Sequence, residues 1–406
     1  MRKAMFIQLS IVAVVLSCIS GARAAESAKP AAPVVPEPNK PLVQIAILLD
    51  TSGSMEGLID QARTELWSIV NEFIFAQRGG RRPEIQVALY EYGNMGLATE
   101  TGWIRQIAPL TTDLDKISEE LFALKTNGGD EYCAWVIKEA TEKLKWSESP
   151  DDLKVIFIAG NEPFTQGPVD YRKTCKAAVT KGILVNTIHC GSEREGLDGH
   201  WKDGAVLADG RYLNIDQNRQ IVHIRAPQDT EIAELGVRLN ATYVPFGRQG
   251  QAAQERQAAQ DTNANMASPQ AVVQRTLTKS SHNYMNTNWD LVDAVQAKSV
   301  DVGNIKDEDL PKDMKGMNAE QKANYVNAKA KERADLQTKV RQLNQQRSKF
   351  IAEATAKQQG SQTLGSAVKQ AIREQAGKKN YTFKPAEPSP DATQGTTDLA
   401  PGQTGN

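Results

Sequence analysis

Asp50-Thr51-Ser52-Gly53-Ser54 sets one carboxylate and two hydroxyls at alternate positions of a five-residue stretch. In a tight loop that spacing turns the three oxygens to one side, and Gly53 removes the side chain that would crowd them. Hard oxygen donors with few carboxylates suit a hard cation. Mg²⁺ fits best because it keeps several of its own waters, with Mn²⁺ or Ca²⁺ as the other candidates. A coordination position left open on such an ion can accept an acidic group from a second molecule. The simpler reading of the same residues is a helix start, with Ser52 or Ser54 accepting a backbone N–H and Asp50 facing the positive end of the dipole.

Such a loop needs a rigid frame, and the flanking sequence provides one. Residues 42–49 are almost all apolar, as a strand covered on both faces should be, and the run stops at Asp50. Beyond the Ser/Gly turn, Leu58, Ala62, Leu66, Ile69, Val70 and Phe73 recur at helical spacing. Strands are expected at 85–90, 103–107, 154–159 and 183–188, and helices at 133–144 and 169–180. Strands alternating with helices imply an α/β fold with a mainly parallel sheet and helices on both faces. Ligands of such sheets bind at the carboxyl ends of the strands, where Asp50 falls. Further on, Ala205-Val206-Leu207 and Tyr212-Leu213-Asn214-Ile215 flank Asp209-Gly210 and predict an edge hairpin, with residues 221–224 as a third strand.

Asp-x-Ser-x-Ser directly after an apolar strand resembles the metal-ion-dependent adhesion site of von Willebrand factor A (VWA) and integrin I domains. The resemblance covers roughly residues 42–224 and implies a Rossmann-like VWA domain. In that family a second loop supplies a threonine or an acid. Here Thr126-Asn127-Gly128-Gly129-Asp130-Glu131 precedes a predicted helix, so the resemblance implies Asp130 as the completing ligand and Thr126 as a further contributor. The metal set is then Asp50, Ser52, Ser54, Asp130 and Thr126. Many relatives carry Thr-Asp-Gly after the central strand. This chain has Ala159-Gly160-Asn161-Glu162-Pro163, so Gly160 stands in the aspartate position and Asn161 or Glu162 must serve instead. The stretches around Trp201 and Tyr212 are similar to those of bacterial cell-envelope VWA proteins.

The ends of the chain bear on location. Arg2 and Lys3, an apolar run from Met5 and Ala22-Arg23-Ala24 follow the order of a secretory signal, expected at 1–24 and too short for a stable span, which leaves no transmembrane segment once it is removed. The expected product is exported, to the periplasm or cell envelope; a lipoprotein anchored at Cys18 is the alternative. A Pro-rich linker follows at 25–41, then the VWA-like domain with its added hairpin at 42–247, a helical C-terminal region at 248–358, and a polar tail expected to be disordered at 359–406. Within the helical region, residues 318–356 carry the narrow stripe Leu336, Val340, Leu343 and Phe350. It marks either a helical hairpin or short coiled coil, or a mostly solvated helix resting on the main domain. Cys133, Cys175 and Cys190 remain after signal removal, and a Cys175–Cys190 disulfide is the preferred pair.

With 48 basic and 49 acidic side chains among 406 residues, nothing in the charge balance attracts nucleic acid. His189, Cys190 and His200 match no common zinc spacing. Nucleophile elbow, Walker loop, dinucleotide fingerprint and His-Glu-x-x-His are all absent from the sequence, so an enzyme is not expected. The expected function is metal-dependent binding of a protein partner that presents an acidic residue. The alternative is a structural assembly protein that works through its C-terminal helices, with an inert VWA-like domain.

Overall fold

The computed structural model describes residues 40–215, 224–357 and 364–383. The expected signal sequence, Cys18, residues 25–39 of the linker, 221–223 of the third edge strand and the tail from 384 lie outside the described residues. In chain order the elements are β1 (Leu42–Asp50), α1 (Glu56–Asn71), β2 (Ala76–Gln77), β3 (Glu84–Tyr92), β4 (Ile104–Thr111), α2 (Leu114–Ala123), α3 (Cys133–Lys143), β5 (Leu153–Gly160), α4 (Tyr171–Thr180) and β6 (Ile183–Cys190). There follow α5 (Glu193–Asp198), α6 (Trp201–Leu207), β7 (Tyr212–Ile215), α7 (Asp229–Asn240), α8 (Gly250–Ala267), α9 (Pro269–Lys279), α10 (Leu291–Gln296), α11 (Ala319–Lys357), α12 (Leu364–Lys378) and β8 (Thr382–Phe383).

Six strands form one sheet in the order β4-β3-β1-β5-β6-β7. Only β4 runs antiparallel; β1 pairs in parallel with both β3 and β5. The mainly parallel α/β fold read from the sequence is therefore the fold observed. β1 lies inside the sheet with helices over both of its faces, which is why residues 42–49 alternate between two cores instead of between core and water. Val43, Ile45 and Leu49 face a core built with α1, α2 and α12, whereas Ala46 and Leu48 face one built with α3, α4 and α6.

Three expectations are corrected. Ala205–Leu207 is the end of α6, not a strand. Trp201 is fully buried against Phe164, with ring centroids 5.1 Å apart, and anchors a helical turn there. The chain then turns at Asp209, at φ 52°, and β7 runs parallel to β6, so no hairpin forms. The Cys175–Cys190 disulfide is absent: all three described cysteines are buried free thiols. The reason is positional, since Cys175 belongs to the core on one face of the sheet and Cys190 to the core on the other.

The third correction concerns the tail. Residues 364–383 are ordered: Val368, Ala371, Ile372 and Ala376 of α12 bury themselves in the same core as α1, and β8 pairs with β2. The expected stripe on α11 also finds its partners inside the chain. Leu336 and Val340 pack against Ile232, Leu235 and Leu239 of α7 and Val273 and Leu277 of α9, which is the resting helix and not a coiled coil. Trp289 packs with Tyr243 and Tyr284 in a small aromatic cluster. Polar links tie α9 to the sheet layer, among them Asn71 Nδ2 donating to Gln274 O at 2.7 Å. Among the described residues no helix is long and apolar enough to cross a membrane.

Candidate metal centre

The parallel sheet brings three loops together at its carboxyl edge: the one after β1, the one before α3 and the one after β5. The first is fixed by its own backbone. Thr51 N donates to Tyr92 O at 2.9 Å, and Thr51 Oγ1 donates to Glu91 Oε2 at 3.2 Å. Asp50 is fully buried and accepts from Ser52 N at 2.7 Å, while Ser52 Oγ and Ser54 Oγ lie 3.2 Å apart. The two hydroxyls do not serve as helix caps, because the N-cap of α1 is Met55 and no side chain caps it. The second loop docks on the first through Asn127 N, which donates to Thr51 O at 2.9 Å. Thr126 is half-buried in that loop.

Within the second loop it is Glu131, next to the expected Asp130, that reaches Asp50. Asp130 is exposed and accepts from Tyr132 Oη at 3.4 Å, whereas Glu131 is buried, its N–H donating to Gln166 Oε1 at 2.8 Å. Gly93, at φ 76°, makes room for the pair: a Cβ there would lie 2.8 Å from both Asp50 Oδ1 and Glu131 Cγ. From the third loop, Asn161 joins them. With its amide oriented to suit its neighbours, Nδ2 donates to Asp50 Oδ2 and Glu131 Oε2 at 3.3 Å each, and Oδ1 accepts from Ser54 Oγ at 3.2 Å. Glu162 makes its contact through the backbone, its carbonyl accepting from Trp201 Nε1 at 2.8 Å.

Burial raises the pKa of Asp50, against the opposing hydrogen bonds from Glu131 and Ser52. Burial first, and the charge of Asp50 second, raise that of Glu131. The like charge of Glu162 adds to both. Two buried carboxyl groups so placed must share a proton or a cation. The carboxylates and hydroxyls offer only oxygen, the donor type that suits a hard divalent ion in place of the proton. Among the described residues no group of three or more His, Cys, Asp or Glu is placed to hold a metal ion, so the set rests on two carboxylates plus hydroxyls. His189, considered for zinc, instead places Nε2 3.3 Å from Asn161 O.

Gly160 has a steric explanation. Tyr92 Oη donates to Ala159 O at 2.9 Å, and a Cβ on Gly160 would fall 2.4 Å from that hydroxyl and 3.2 Å from Asp50 Oδ2. The phenol occupies the volume an aspartate side chain would enter. Gly160→Ala is therefore expected to cost about 1–3 kcal/mol in the wild type through overpacking. The penalty should be smaller in a Tyr92→Phe background, and urea denaturation of the two singles and the double reads the coupling. Equal penalties in both backgrounds would show that the hydroxyl is not the obstacle.

Residues 44–197 match the von Willebrand factor type A domain family in sequence. Similar solved structures include the SpRpn10 VWA domain, at 19% identity and TM-score 0.34, covering 44% of this chain and 90% of that one. BatB from Bacteroides thetaiotaomicron is similar at 18% identity and TM-score 0.33, with 43% and 90% covered. An aerotolerance-related membrane protein from Bacteroides fragilis is similar at 17% identity and TM-score 0.29, with 43% and 92% covered. Among curated proteins none matches the chain. The family match, falling on the same β-loop-α framework that gathers Asp50, Glu131 and Asn161, identifies residues 44–197 as a von Willebrand factor type A domain within a longer chain.

Proposed function

We propose that the protein is a non-enzymatic binding protein that takes up a divalent cation, Mg²⁺ or alternatively Mn²⁺ or Ca²⁺, and uses it to capture an acidic residue of a partner protein. Asp50, Ser52, Ser54 and Glu131 would hold the ion, with Thr126 and Asp130 on the second loop at its rim. The ion would supply a positive charge with an open position, which a partner carboxylate can fill. The observation that carries this reading is the buried Asp50–Glu131 pair: burial raises both pKa values, the charge of Asp50 raises that of Glu131 further, and the charge of Glu162 adds to both. The signal-like N-terminus supports a site of action in the periplasm or cell envelope.

The alternative, assembly through the C-terminal helices, has less to draw on. Leu336 and Val340 of α11 are already buried within the chain, which leaves Phe350, at 38% exposure, as the large apolar residue of the stripe that reaches solvent.

Metal uptake by a raised-pKa pair must expel the shared proton, so the test is a Mg²⁺ titration by calorimetry near pH 7 in two buffers of different ionisation enthalpy. Saturable binding with release of about one proton is expected. Capture of an immobilised Asp- and Glu-bearing peptide should then depend on Mg²⁺ and be reversed by chelator. A titration with no binding, or capture indifferent to chelator, overturns the reading.

A further inference from the structure

At the opposite edge of the sheet a cavity of about 610 Å³ opens between α11, the loop after α9 and the segment ahead of β3. This size is ample for a small organic ligand. Arg82, at its wall, lies two residues before Glu84, the β3 residue that pairs with Leu42, whereas the acid loops begin at Asp50, opposite Tyr92. Eight strand steps, roughly 26 Å, separate the two ends. The cavity is thus independent of the metal centre.

Its lining is polar and positive above an apolar patch of Ile74, Phe75 and Leu277. Arg333 and Asp293 also line it but neutralise each other, with Nη1 and Oδ1 2.8 Å apart. Arg82 and Arg341 have no carboxylate partner among the described residues; Arg341 is held only by Thr338 Oγ1 at 2.8 Å. These two guanidiniums are near enough that Arg82, after burial, lowers the pKa of Arg341. Asn344, 9% exposed, also lines the cavity. Both ring nitrogens of His282 are buried with no side-chain partner, the backbone of Pro83 being the polar group beside the ring. Buried polar groups in folded proteins are nearly always paired, so a ring so sparsely paired at a cavity wall points to a missing ligand.

We propose that this cavity binds a sugar-sized anion, a polyhydroxylated ligand bearing a carboxylate or a phosphate. Guanidiniums recognise either oxyanion through paired N–H donors, and the neutral imidazole and carboxamide offer both donors and acceptors to hydroxyl groups. The apolar patch suits a ring face.

The full chain, in EDTA so that the metal centre takes no part, is titrated calorimetrically with glucuronate, glucose 6-phosphate, glucose and inorganic phosphate. At least one anionic sugar is expected to bind saturably and about tenfold or more tighter than glucose or phosphate. The stronger of the two distinguishes carboxylate from phosphate recognition. Arg82→Ala and Arg341→Ala replace exposed residues and should preserve the circular dichroism spectrum while each weakens that binding about tenfold. Arg341→Lys, which keeps the charge but loses the fork, should fall between. Absence of binding by both anionic sugars, equal binding of glucose or of phosphate alone, or unchanged affinity in both Ala variants overturns the proposal.

Discussion

Asp50→Ala is expected to eliminate Mg²⁺ binding while leaving the fold intact. Loss of groups that merely orient a metal ligand already costs about 10–100-fold in affinity, so removing a carboxylate that holds the ion should exceed about 100-fold. The fold should survive because the deletion acts in two opposing directions. Ser52 N loses its 2.7 Å acceptor, which costs stability, but Glu131 loses a like-charged neighbour in a buried site, which restores some. The pH dependence gives the sharper signature. Asp50 and Glu131 both have raised pKa values in the folded protein, so the metal-free folded state binds more protons than the unfolded chain. Its stability must then fall as pH rises from the ordinary carboxylate range through that of Glu131. In the variant Glu131 returns toward its usual range and the slope flattens. Urea midpoints at pH 5.5 and 8.5 in EDTA measure it, and Mg²⁺ should raise the pH 8.5 midpoint of the wild type alone. Equal Mg²⁺ stabilisation of both proteins would refute the assignment.

The sequence makes the first loop legible because its determinants are local. A strand apolar on both faces, a stop at Asp50 and a helix from residue 56 need no distant contact to be recognised. Glu131 is different. Residues 130 and 131 lie in an irregular segment just before α3, where Asp130 is exposed and Glu131 buried. Which one turns inward is decided by Gln166, 35 residues later, whose Oε1 accepts from Glu131 N. Composition carries no trace of that hydrogen bond. The short run at 205–207 fits a strand or a helix equally, and only the burial of Trp201 separates them. α12 is hard to read for a related reason: its apolar stripe of Val368, Ala371 and Ile372 is short and sits among Gln, Lys and Ala, and it is packing beside α1 that makes it a core element. One signal was available, since Val368 and Ile372 stand four residues apart on one helical face.

Arg333→Ala should be among the most destabilising single substitutions in the chain, at about 3–5 kcal/mol, because it strands two buried acids. On α11, Arg333 is 3% exposed; Nη1 donates to Asp290 Oδ2 at 2.7 Å and to Asp293 Oδ1 at 2.8 Å, Nη2 to Thr242 O at 2.7 Å, and the guanidinium lies 4.1 Å from the centroid of the Tyr243 ring. Asp290 is completely buried and caps α10 through Asp293 N, so it cannot swing out to water without unwinding that helix start. Burial, then the charge of Asp290, already lifts the pKa of Asp293 to about 6, with Arg333 pulling against them. Without the guanidinium Asp293 would rise further. Folded-state carboxyl groups raised above their unfolded values bind extra protons, so the deficit should be larger at pH 8 than at pH 5. Arg333→Met separates charge from volume: it fills the site yet should lose nearly as much, and adding Asp290→Asn and Asp293→Asn should recover most of the loss. Urea denaturation at both pH values decides the matter. A deficit independent of pH, or one the Asn substitutions leave untouched, would mean that α11 is held by its apolar contacts alone. The expected result instead makes a buried ion network the reason that a helix with so narrow an apolar stripe stays on its own chain.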